Sequence, residues 1–119
     1  MYGYVGTMKT TPGHRDEVVA IMLRDVEELR AAGCLSYEFS VSDEDVDTIF
    51  VTEVWESRSH HEASLHLPTT RAAIDEAMPM LTGEFTGQQQ EVVGGLGALH
   101  NPGCSPGLNR LATSSDLAM

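Results

Sequence analysis

The chain has 119 residues, 41% of them hydrophobic and 21% charged, which suits one globular domain with a modest core. Its formal charge is −11, from 7 Lys plus Arg against 18 Asp plus Glu. That balance argues against nucleic acid and against docking on anionic membranes, because both are gripped by clustered cations and Lys9 is the only lysine. No apolar run approaches the roughly 20 residues of a membrane helix. MYGYVGTMKT has no basic-then-apolar leader pattern, so a cytoplasmic protein is expected, and Cys34 and Cys104 read as free thiols.

In chain order, YGYVGTMKT (2–10) is rich in aromatic and β-branched residues and runs into Thr11-Pro12-Gly13, a strand ending in a turn. From His14 the apolar positions Val18, Met22, Val26 and Leu29 recur every three to four residues, with Val19 and Leu23 widening the stripe. This predicts a single amphipathic helix stopped by Gly33. CLSYEFSV alternates Leu35, Tyr37, Phe39 and Val41 with polar residues, so it predicts a strand.

After an acidic turn, TIFVTEVWE predicts a second strand, with Phe50 and Val54 on one face and Ile49, Val51 and Trp55 on the other. Both faces should therefore be covered. Residues 57–81 read as helix in two pieces, the second opening at Pro68 and carrying Ile74, Ala77, Met78 and Leu81 as its apolar stripe. EFTGQQQEVV offers a last, weaker strand.

The order βαββαβ predicts an α+β, ferredoxin-like antiparallel sheet with helices on one face. The other sheet face would stay bare in so small a protein, which predicts a homodimer packed sheet to sheet. The folded domain is expected over residues 1–93, and residues 94–119, rich in Gly, Pro and Ser, read as a tail.

WESRSHHEASLHLP (55–68) concentrates the only tryptophan and three of five histidines. HEASLH is one residue longer than the zinc-binding HExxH, so His61 and His66 would point roughly 140° apart on a helix and could not share an ion. No metal is expected. No flavin is expected either, since no Gly-rich phosphate loop joins a strand to a helix. His60 and His61 read as solvated residues at a helix start.

Pro12-Gly13 before the first helix, GCLSYEF opening the second strand and EVWESR closing the third together make a chain that resembles the antibiotic biosynthesis monooxygenase domain. That family is a dimeric ferredoxin-like group, a dimeric α+β barrel, which includes cofactor-free quinol and anthrone oxygenases. The resemblance spans about residues 2–93 and implies that Trp55 lines a substrate cavity. An ungapped overlay puts Ser64 at the family's histidine position, with His66 two residues later.

What the resemblance implies is a monooxygenase that uses no cofactor and oxidises a small aromatic substrate, a polycycle, quinol or anthrone, with O2. Such chemistry needs a dry pocket, a base and a group to hold an anion. His66, with its near-neutral intrinsic pKa, is the expected base. Trp55 and Tyr37 would flank the substrate ring, and Arg71 would hold its anion. The alternative is a non-catalytic small-molecule-binding or stress-response domain of the same dimeric fold.

Overall fold

The computed structural model describes residues 1–96, so most of the predicted tail, with Cys104 and His100, lies outside the described residues. The strands are β1 (Tyr2–Thr10), β2 (Cys34–Val41), β3 (Thr48–Trp55) and β4 (Leu81–Glu91), and the helices are α1 (Arg15–Met22), α2 (Val26–Ala31), α3 (Arg58–Ser64) and α4 (Pro68–Ala77). They build one antiparallel sheet in the order β2-β3-β1-β4, with the helices on one face. The expected ferredoxin-like α+β fold is therefore the fold observed.

Local chemistry explains most boundaries. Gly13 sits at φ 84°, the left-handed turn conformation that an L side chain resists, and it releases the chain from β1 into α1. Gly33, at φ 106°, ends α2 as the sequence predicts. Ser57 caps α3 by accepting the His60 N–H at 3.2 Å, and Pro68 occupies the first turn of α4, where its missing N–H costs nothing.

The expected single helix from His14 to Gly33 is instead two. Leu23 N–H still reaches Val19 O, but Arg24 N–H takes the tighter Ile21 O, and the chain restarts when Glu28 N–H bonds Asp25 O. Arg24 also reaches across to Glu76 of α4 at 2.6 Å. The break serves two separate clusters. Val18 and Ile21 of α1 pack on Ile49, Val51 and Ala77, whereas Leu29 of α2 packs on Cys34 and Trp55. One straight helix could not follow both across a twisted sheet.

β3 is central, and its period of two decides what is buried. Ile49, Val51 and Trp55 lie under the helices, Trp55 only 1% exposed. On the opposite face Val54 is buried but Phe50 is 39% exposed, so that face is only partly covered within one chain. Phe50 shares it with Val5, Thr7, Thr52, Thr86, Gln88 and Gln90, a mixed apolar and amide surface.

Two further expectations shift in detail. Met78 is half exposed rather than part of the α4 stripe, because α4 tightens into a 3-10 turn at Met78–Met80 and Leu81 already belongs to β4. The last strand also begins earlier than EFTGQQQEVV suggests, bulging against β1 between Met8 and Thr10. Among the described residues no helix is long and apolar enough to cross a membrane.

Candidate active site

A cavity of about 110 Å³ lies between the sheet and the helices, at the point where α1 breaks from α2. Its sheet wall is Tyr37, Glu53 and Trp55, its helix wall includes Met22 and Leu29, and His61 closes one side. The register makes the sheet wall: Tyr37 pairs with Glu53 and Glu53 with Tyr4, so these side chains stand in one row facing the helices. A carboxylate thus occupies a row otherwise filled by Ile49, Val51 and Trp55. Its side chain is 13% exposed.

Glu53 is held rather than buried alone. The Trp55 indole N–H donates to Glu53 Oε1 at 3.0 Å, and His61 Nε2 lies 3.8 Å from the same oxygen. The imidazole is fixed in turn by aromatic neighbours. Tyr2 and Tyr4 stack on it at 5.2 and 5.8 Å between ring centroids, and Trp55 meets it edge-on at 5.5 Å. Behind it, the buried Ser64 hydroxyl donates to the His61 carbonyl at 2.6 Å and tightens the last turn of α3.

Burial pushes the Glu53 carboxyl above the usual range, against the smaller opposing effect of the Trp55 hydrogen bond. Burial also pulls the His61 imidazole below its ordinary value, partly offset by Glu62. At neutral pH His61 is therefore a neutral base, and its contact with Glu53 becomes an ion pair only once it takes a proton. Tyr37 is pushed up, first by burial and then by Glu53, so its hydroxyl stays protonated as a donor. Among the described residues no group of three or more His, Cys, Asp or Glu is arranged to hold a metal ion.

Of the residues singled out from sequence, Trp55 and Tyr37 meet at this cavity. His66 and Arg71 do not. α3 ends at Ser64, which leaves His66 exposed in the link to α4, and Arg71 is exposed on α4. His60 is solvated as expected, bonded to Ser57, but His61 is not: its side chain is only 14% exposed. Glu53 was missed, although the period of two that groups Ile49, Val51 and Trp55 assigns Glu53 to the same row.

The sheet order and the helix-covered cavity define a ferredoxin-like α+β protein with a carboxylate and an imidazole that are mostly shielded from water. The chain belongs to the antibiotic biosynthesis monooxygenase family, whose profile matches residues 1–76. A Chloroflexus aurantiacus J-10-fl structure of the antibiotic biosynthesis monooxygenase type is 38% identical, with a TM-score of 0.74, covering 82% of this chain and 97% of that one. One from Caulobacter crescentus CB15 is 22% identical, with a TM-score of 0.70 over 78% of this chain and 90% of that one. Another, from Deinococcus radiodurans, is also 22% identical, with a TM-score of 0.63 over 82% and 97% respectively. The last two bear on the fold alone. The curated proteins contain no match.

Proposed function

We propose that the protein is a cofactor-independent monooxygenase that oxidises a quinol, anthrone or other polycyclic aromatic with O2, and that the base is His61 supported by Glu53. The observation that carries this reading is the neutral imidazole in a mostly apolar cavity, 3.8 Å from a carboxylate that is itself mostly shielded from water. Family membership supports the reaction class.

An acidic C–H or O–H of the substrate gives its proton to His61. The resulting imidazolium is stabilised by Glu53, which in the resting site has no charge to face. Tyr37, a phenol at any physiological pH, donates to the substrate oxygen that carries the negative charge. The electron-rich anion passes one electron to O2, and the radical and superoxide combine into a C–O–O⁻ bond. That peroxide takes the proton back from His61. For an anthrone methylene, loss of water then leaves C=O, so one oxygen atom is in the product and one in water. Trp55 and Leu29 keep bulk water from the anion.

Homodimerisation through the helix-free sheet face is part of the same proposal. Phe50 and Val5 are partly exposed on a face that otherwise presents threonine and glutamine, which a second sheet can cover.

An oxygen electrode with a panel of hydroquinones, naphthohydroquinones and anthrones tests the reaction. At least one substrate should be consumed faster than in buffer, with one O2 per product. If none is, the oxygenase reading fails and a binding domain of the same fold takes its place.

A further inference from the structure

A second cavity, of about 170 Å³, adjoins the first along the sheet. It shares Met22, Tyr37 and Glu53 with the first, and beyond them Met8, Phe39, Val51 and the half-exposed Phe85 line it together with Tyr4, Thr7 and Thr86 over the Gly6 backbone. The register explains the hollow. Phe39, Val51, Gly6 and Gly87 form one row across the four strands, so half of that row has no side chain on the helix-facing surface. The Tyr4 ring lies over both glycines and walls the hollow on that side, so neither glycine can carry a side chain. A Cβ on Gly6 would lie 2.5 Å from Thr86 O, and one on Gly87 would collide with the Tyr4 hydroxyl.

We propose that this second chamber is a substrate subsite for the apolar rings or tail of the ligand, and that Met22 is the specificity-determining residue between the two chambers. The inference rests on reading the first chamber as the substrate site, not on the oxygen chemistry. Size carries it. An apolar cavity of about 150 Å³ takes one benzene ring, so a first chamber of about 110 Å³ has room for one ring at most. A fused or tailed aromatic must extend elsewhere, and the second chamber opens past Glu53 with a mostly apolar lining.

Of the three shared residues, Tyr37 and Glu53 are fixed on the sheet, whereas Met22 ends α1 beside the helix break. Its unbranched thioether can repack to admit or exclude a second ring. The ligand class is therefore an aromatic with one acidic hydroxyl or methylene at Glu53 and His61, and an uncharged apolar extension of one or two rings.

Trp55, the only tryptophan, lines the first chamber and reports occupancy by its emission. Under argon, where no turnover occurs, the full chain is titrated with hydroquinone, 1,4-naphthohydroquinone and anthrone, with circular dichroism to check folding. Wild type should bind anthrone at least tenfold more tightly than hydroquinone. Met22→Ala should raise that ratio severalfold, and Met22→Phe should lower it severalfold. If the ratio is near one, or is the same in all three proteins, the subsite is wrong while the first chamber stands. If no ligand changes Trp55 emission, the substrate-site reading falls with it.

Discussion

Glu53 Oε1 and His61 Nε2 lie 3.8 Å apart on opposite walls of one cavity, with the Trp55 indole N–H bound to that same carboxylate oxygen at 3.0 Å. A strand and a helix each supply one half of an acid–base pair, and a residue two places along the strand orients the carboxylate. The opposite pKa displacements of the two groups have one cause, removal from water. Proton uptake by His61 converts two groups that water no longer stabilises into an ion pair. That change is what the proposed role, proton abstraction from a neutral ligand, requires of the pair.

Replacing His61 should separate the two histidine candidates. His61→Ala is expected to lower turnover by about 10²- to 10⁴-fold, while His66→Ala, at an exposed position outside the cavity, should match wild type. In wild type, activity should rise with pH through a transition below 6.5, because the neutral form of His61 is the active one. Steady-state rates across pH 5–8 for the three proteins decide the assignment, and a loss in His66→Ala instead would return the base to that position.

Glu53→Gln keeps an acceptor for the Trp55 N–H but removes the buried charge. A carboxyl whose folded pKa lies above its unfolded value of 4.5 contributes stability below that value and loses it as pH rises through the folded pKa. The variant lacks this loss. It should therefore gain stability over wild type as pH rises above 4.5, and match it below. Urea denaturation midpoints from pH 4 to pH 8 measure the difference. A gain that shrinks with rising pH would contradict the burial argument.

Phe50→Asp places a charge at the centre of the helix-free sheet face without touching the cavity. Light scattering should give a dimer mass for wild type and a monomer mass for the variant at micromolar concentration. A wild-type monomer would show that the face needs no covering.

Cys34 is 8% exposed, and burial pushes its thiol up to about 11, so almost no thiolate forms at neutral pH. Iodoacetamide at pH 7.5 should leave Cys34 unmodified in the native protein and alkylate it rapidly in urea. Peptide mapping keeps it distinct from Cys104. Fast native labelling at Cys34 would mean that α2 opens readily from the sheet.

Much of the fold was legible along the chain because it follows from local repeat. Alternation in CLSYEFSV and TIFVTEVW, the stripe from Val18, and the stops at Gly13, Gly33 and Pro68 all act over a few residues. Those patterns also carried the resemblance to the family, and Trp55 and Tyr37 reached the cavity because each sits on a strand whose inward face was already marked. What only the tertiary structure decided depends on which distant groups meet. The split of α1 from α2 answers two clusters lying apart on a twisted sheet, and the open wall at that split is the cavity. From spacing alone His61 and His66 had to point in different directions, but not which of them faced Trp55. That was settled by where α3 ends and by the rings of Tyr2 and Tyr4, more than fifty residues earlier in the chain, that hold His61 inward. Side-chain periodicity acts within one element, whereas desolvation and ring packing act between elements that only folding brings together.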